Sequence, residues 1–150
     1  MTLIKIGSNI ISEYLPFIYI IYSKENHCVY IGQTLNQGGL IRRFADHLIN
    51  SSFKKHYVDK YGNESFKSIN DLSLFYYPLP QKPRFTSIEP CFREAVEYNL
   101  QILFREYRFD PYLTIISKVS NNNISAVNQL DLRMSAKEIF QRFSEIYYKG

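Results

Sequence analysis

Tryptophan is absent from this chain, and cysteine, glycine and proline are sparse, at two, six and six residues in 150. Cys28 and Cys91 form neither a C-x-x-C pair nor a Cys/His cluster of zinc spacing. A structural zinc is therefore not expected, and two buried free thiols are the simpler reading. Apolar runs of about 18 residues are also missing, as is an apolar stretch behind the opening Met1-Thr2-Leu3-Ile4-Lys5. This supports neither a membrane span nor a signal peptide, and a cytoplasmic, reducing location is expected. No lysine-rich tail is present. Eighteen basic residues against 14 acidic ones leave a net charge of +4, which permits nucleic-acid binding without demanding it. No internal repeat, low-complexity run or long linker divides the chain, so residues 1–150 are read as one domain.

Aromatic and apolar side chains are plentiful. With 45% hydrophobic residues, 13 tyrosines and 11 phenylalanines, the chain has enough apolar mass for a folded core. So many tyrosines suit a core with wet edges or a nucleic-acid surface, and composition does not choose between them.

Residues 1–15 read as a mixed lead-in, with Asn9–Tyr14 as a candidate short helix. Residues 17–22, Phe-Ile-Tyr-Ile-Ile-Tyr, are aromatic and β-branched and predict a strand. Polar Ser23-Lys24-Glu25-Asn26 predicts a turn, and residues 27–33 a second, antiparallel strand. After Gly38-Gly39 the period changes: Leu40, Phe44 and Leu48 predict a helix over about 40–50, ended by Asn50-Ser51-Ser52. His56–Tyr61 is a further helical turn or two, stopped by Gly62. A third strand is expected at Leu72–Tyr77, and Pro78, Pro80 and Pro83 argue against regular structure through about 86. Pro90 suits the first turn of a helix running to about Glu106, capped by Glu89 or Ser87. Leu113–Val119 is a candidate short strand, Asn121-Asn122-Asn123 a loop, and Ser135 a cap for an amphipathic helix, Ala136–Tyr148. The fold class expected is α/β (α+β): a small three-stranded, mainly antiparallel sheet flanked by helices.

Five side chains stand out against this framework. Tyr19 and Tyr30 fall on adjacent strands, where their parity allows both rings on one face. Arg43 and His47, four apart, share a helix face. Glu97 lies beside the apolar set of a later helix, with Glu94 one turn earlier as the alternative. Hydrolysing a phosphodiester requires a base for water, a cation on the phosphate, a charge sink at the leaving oxygen and a means of positioning the strand. An arginine forks two hydrogen bonds onto a phosphate, a histidine moves a proton, and a hard carboxylate suits Mg2+. A phenol with an ordinary pKa near 10 is a weak base and needs help from nearby positive charge. Taken singly, each residue is an ordinary packing or surface residue; the combination is what points to this chemistry.

Phe17-Ile18-Tyr19, Tyr30-Ile31-Gly32, the Leu40…Arg43-x3-His47-Leu48 run and Val96-Glu97-Tyr98 together resemble the GIY-YIG nuclease family. Lys60-Tyr61-Gly62…Phe66 resembles a turn found in many of its members. The resemblance implies a nuclease core over about 16–115 and leaves a C-terminal helical extension at about 124–150. It implies a metal-dependent DNA endonuclease with Tyr19 as general base, Tyr30 as its hydrogen-bond partner, Arg43 on the phosphate, His47 assisting and Glu97 holding Mg2+ or Mn2+. Arg42 is the competing arginine, and spacing to His47 selects Arg43. Two departures are visible. Phe17 stands where the first motif usually has glycine, and no asparagine follows Asp110-Pro111-Tyr112 at the family's place, with Asn121, Asn122 and Asn123 as unaligned substitutes.

DNA is the expected partner, with Arg42, Lys54, Lys55, Lys60, Lys82 and Arg84 as candidates for backbone-phosphate contacts. One site cuts one strand, so a double-strand cut would need a homodimer or two visits. The compact single domain favours a restriction- or defence-type enzyme. Repair, mobile-element and toxin roles stay open, as does a non-catalytic DNA-binding module that keeps the fold.

Overall fold

A computed structural model of the chain describes residues 2–7, 14–37, 41–107, 110–117 and 124–149. Strand β1 is Thr2–Lys5, β2 is Tyr14–Ser23 and β3 is Cys28–Gln37. Helix α1, Ile41–Leu48, runs through a π-helical turn at Ile49–Phe53 into α2, Lys54–Tyr61, and then α3, Asn63–Lys67. Next come β4, Ser73–Pro78, a single-turn α4, Pro83–Thr86, and α5, Cys91–Glu106. The two-residue β5, Thr114–Ile115, the short α6, Ile124–Val127, and α7, Leu130–Lys149, complete the order.

The sheet has five strands in the order β1-β4-β2-β3-β5, where three were expected, and it is mixed rather than mainly antiparallel. The three expected strands form its centre, with β2 antiparallel to both β3 and β4. The additions are the edges, β1 beside β4 and β5 beside β3, and both pair parallel. Strand β5 lies within the candidate strand Leu113–Val119. Strand β1, in the expected mixed lead-in, is too short to show strand periodicity and pairs with a strand distant in sequence, a relation that local pattern cannot carry.

The hairpin forms where expected. Asp71 clamps its turn, accepting hydrogen bonds from Ser23 Oγ at 2.5 Å and from the Glu25 N–H at 2.9 Å. Four other expectations change. Asn50-Ser51-Ser52 do not stop the first helix. Asn50 Nδ2 donates to the Asp46 carbonyl (2.8 Å) and Ser51 Oγ to that of His47 (2.6 Å), so these side chains serve carbonyls around the widened turn. Pro83 opens α4 instead of preventing it, since a missing N–H costs nothing at a first helical position. Pro90 itself occupies the N-cap of α5, with no side-chain cap from Ser87 or Glu89. Ser135 lies inside α7, its hydroxyl donating to the Asp131 carbonyl (3.0 Å), and the helix begins at Leu130. The expected helix over Asn9–Tyr14 falls largely outside the described residues, and Tyr14 already belongs to β2.

Alternation along the strands builds a core on each face of the sheet. Ile18, Ile20, Tyr22, Val29, Ile31, Phe75 and Tyr77 pack under α5 and α7, where Leu100, Phe104, Ile139 and Phe143 are fully buried. Phe17, Tyr19, Ile21, Leu74 and Tyr76 face the other way, against Ala45 and Leu48 of α1, then Phe53 and Tyr57. Burying a Phe of this kind contributes about 1.5–3 kcal/mol. The second face carries the tyrosine of the first motif.

Candidate active site

Phe17 decides how α1 sits. It is 1% exposed and meets Phe44 of α1 edge-on at 5.5 Å between ring centroids, with Tyr19 and Tyr76 each 6.3 Å away. The bulky residue in place of a motif glycine thus anchors the helix that carries Arg43 and His47.

Tyr19 lies opposite Gly32 in the β2–β3 register. Its ring crosses the place where a side chain at residue 32 would be: a Cβ built there overlaps Tyr19 Oη and Cζ. The glycine of the second motif is therefore a clearance for the tyrosine of the first. Tyr30 stacks beside Tyr19, with centroids 6.1 Å apart and planes 20° from parallel. Burial, and then Tyr30, push the Tyr19 phenol well above its ordinary range. Tyr30 is raised by burial as well, but its hydrogen bond with Tyr19 works in the opposite direction and favours the Tyr30 phenolate.

Glu97 projects from α5 close enough for its charge to oppose ionisation of both tyrosines. Burial, and next the Glu94 charge, push its own carboxyl up to about 8, against a hydrogen bond from Gln101 that favours the ionised form. Gln101 Nε2 donates to Glu97 Oε1 at 3.1 Å. One turn before Glu97, Arg93 is 4% exposed and pins α5 in place. Its Nε donates to Gln33 Oε1 of β3 (2.9 Å), and one terminal nitrogen donates to the Phe85 and Ser87 carbonyls (2.6 Å each). These bonds serve a buried cation through neutral acceptors.

The structure brings Tyr19, Tyr30 and Glu97 together. Arg43 and His47 are exposed on α1, and among the described residues neither is hydrogen-bonded or ion-paired to those three. The imidazole that packs against the pair is His56 of α2, whose ring centroid lies 5.3 Å from that of Tyr30. Sequence reasoning placed His56 in a helical turn but gave it no role, because no motif spacing marks it. Only continuation through the π turn brings α2 back to the strands. Arg93 and Gln101 were also missed; the signal available was charge and amide character within the apolar set of α5.

Of the candidates for phosphate contact, Lys54, Lys55, Lys60 and Lys82 are exposed, with Lys54 above the Phe66 ring and Lys60 above Tyr61, each at 5.5 Å. Arg84 is engaged within the fold, paired with Asp131 of α7 at 2.5 Å and lying 4.7 Å over Phe85. The Arg42 side chain and Asn121–Asn123 lie outside the described residues.

Among the described residues no cluster of three or more His, Cys, Asp or Glu side chains could by itself hold a metal. A cation here would have one protein carboxylate, Glu97, with water and phosphate completing its shell. That donor set fits Mg2+, which keeps several waters and takes one or two carboxylates.

A mixed sheet that presents a stacked tyrosine pair beside a half-buried carboxylate defines an α/β domain with ionisable side chains gathered at its sheet. A profile of the GIY-YIG catalytic domain matches residues 15–89, half of the chain. The chain belongs to the GIY-YIG family, which is a family of endonucleases. No curated protein and no solved structure matches it. The matched segment holds both tyrosines, Arg43, His47 and His56, and ends before Glu97. No helix among the described residues is long and apolar enough to cross a membrane.

Proposed function

We propose that this chain is a DNA endonuclease that hydrolyses phosphodiester bonds with a divalent cation, Mg2+ or Mn2+, held at Glu97. The observation that carries this reading is the stacked Tyr19–Tyr30 pair with the Glu97 carboxylate coupled to both rings. When bound, the cation would offset charge on the phosphate and on the leaving oxygen. The remaining tasks fall to the chain's own side chains. Tyr19 takes the proton of the attacking water as its own phenolic proton passes through its hydrogen bond to the Tyr30 hydroxyl and on to the relay. Arg43, exposed on α1, forks onto the scissile phosphate. His47 assists from the same helix face, and His56, lying against Tyr30, supports a proton relay from α2. Arg42, Lys54, Lys55, Lys60 and Lys82 hold the DNA backbone without reading its sequence.

One observation favours a variant in which Tyr30 takes the proton. Tyr30 is the less buried of the two, and the bond between the hydroxyls favours its phenolate. Comparison of Tyr19→Phe with Tyr30→Phe under single-turnover conditions assigns the role to whichever loses more rate.

The overall reading is tested on supercoiled plasmid DNA with Mg2+. Nicked circles are expected, lost in excess chelator and in Glu97→Gln but retained in Glu94→Gln. Tight DNA binding with no cleavage in either Mg2+ or Mn2+ would make the chain a non-catalytic DNA-binding module instead. The proposal extends to a restriction- or defence-type role. Sequencing of the cleavage sites separates that role from repair and mobile-element nucleases, and the ratio of linear to nicked product reads whether a homodimer cuts both strands.

A further inference from the structure

Helix α5 meets the sheet through Ala95, Val96, Leu100 and Phe104, none more than 1% exposed. Gln101 sits beside them at 0% exposure. A primary amide in such a place needs partners for both ends, because an unpaired buried polar atom is costly. Gln101 is only half satisfied. Its Nε2 donates to Glu97 Oε1 at 3.1 Å, while its Oε1 is buried with no hydrogen-bond partner among the described residues. Leucine or methionine would fill nearly the same volume without the stranded acceptor, so packing alone does not account for an amide. What neither replacement does is donate a hydrogen bond to the carboxylate one turn earlier on the helix. Among the described residues, no other hydrogen bond holds the Glu97 carboxylate.

We propose that Gln101 is a positioning residue, whose amide holds one oxygen of Glu97 and thereby aims the other at the bound cation. The inference rests on the cation-holding role of Glu97 proposed above. Partners of metal-binding carboxylates fix ligand orientation, and removing one typically lowers metal affinity or activity about 10–100-fold. The unmet Oε1 is then a stability cost retained for function.

The test uses the full chain with Gln101→Leu and Gln101→Met, and Glu97→Gln as control. Thermal melting without metal, the rise in melting temperature during a Mg2+ titration, and nicking rate against Mg2+ concentration are measured for each. Expected is a melting temperature equal to or above that of the unmodified chain in the absence of metal. The Mg2+ midpoints of both the melting shift and the nicking curve should move up about 10–100-fold, with much of the rate recovered at saturating Mg2+. A purely structural glutamine would give the reverse: lower melting temperatures in both variants, activity falling in step, and unmoved midpoints. Unmoved midpoints, or a drop of several degrees in both variants, overturn the inference. Full activity in Glu97→Gln overturns the cation reading itself. Because that result comes from a different variant, the two failures are distinguishable.

Discussion

Replacing Gly32 with alanine tests whether the tyrosine pair depends on a missing methyl group. The added Cβ would overlap Tyr19 Oη and Cζ and lie 2.9 Å from Cε1. The Tyr19 ring has little room to yield, being 5% exposed, edge-on to Phe17 and stacked on Tyr30. Gly32 has no positive φ, so alanine suits the backbone and the cost is the overlap alone. Overpacking of this kind costs about 1–3 kcal/mol. The stiffer unfolded chain returns about 0.4–1 kcal/mol. A net loss of about 1–2 kcal/mol lowers the melting temperature by roughly 2–8 °C in a chain of this size. The rate should fall much further, by about 10²-fold or more, because a reacting group displaced by about 1 Å loses its alignment. Thermal melts and single-turnover nicking read the two quantities separately. In a Tyr19→Phe background, Gly32→Ala should still lower the melting temperature, since Cζ and Cε1 remain in the way, but should cost no further rate. A Gly32→Ala enzyme with normal rate, or rate losses that multiply in the double variant, would refute the reasoning.

Two further outcomes follow from the placement of charges and thiols. Arg43→Ala is expected to lose about 10²–10³-fold in cleavage rate while keeping most DNA binding, whereas Arg42→Ala shows mainly as weaker binding at higher salt; equal losses measured in both would reduce the pair to a general basic patch. Cys28 is buried and its thiol is pushed up to about 12, chiefly by burial, so at pH 8 it holds almost no thiolate; Cys91 is only partly buried and should be the thiol that iodoacetamide labels in the folded chain, with Cys28 labelled after denaturation, as mass spectrometry of the peptides would show.

The parts of the fold legible in the sequence are those that local pattern determines. The hairpin between β2 and β3 was readable because aromatic and β-branched runs flank a four-residue polar turn. Strand β4, α5 and most of α7 were readable for similar reasons. Of the edge strands, β5 lies within the candidate strand Leu113–Val119, whereas β1 was not legible, because it owes its existence to non-local pairing with Tyr76 and its neighbours. Asn50, Ser51 and Ser52 misled for a physical reason: residues that end helices by competing for the backbone here bond to carbonyls of the preceding turn. At the site, residue types at motif spacing singled out Tyr19, Tyr30 and Glu97. His56 and Gln101 carry no motif signal. Their places depend on a π turn and on a buried face of α5, both tertiary facts.

The electrostatics of the site share one direction. Burial raises the phenol of Tyr19, the phenol of Tyr30 and the carboxyl of Glu97 alike, and each ionised group would oppose the others. Such a cluster disfavours negative charge until positive charge is brought to it. Within the fold the nearby buried cation, Arg93, is taken up by Gln33 and two backbone carbonyls rather than by these groups. On the reading proposed above, the compensating charge is brought by an ion at Glu97 and by Arg43 when α1 meets a phosphate. A fold that already satisfied its own carboxylate with an arginine would have little reason to bind a metal there. Here the Gln101 amide is the one hydrogen-bond partner of the Glu97 carboxylate among the described residues, and the proposed cation site rests on that open arrangement.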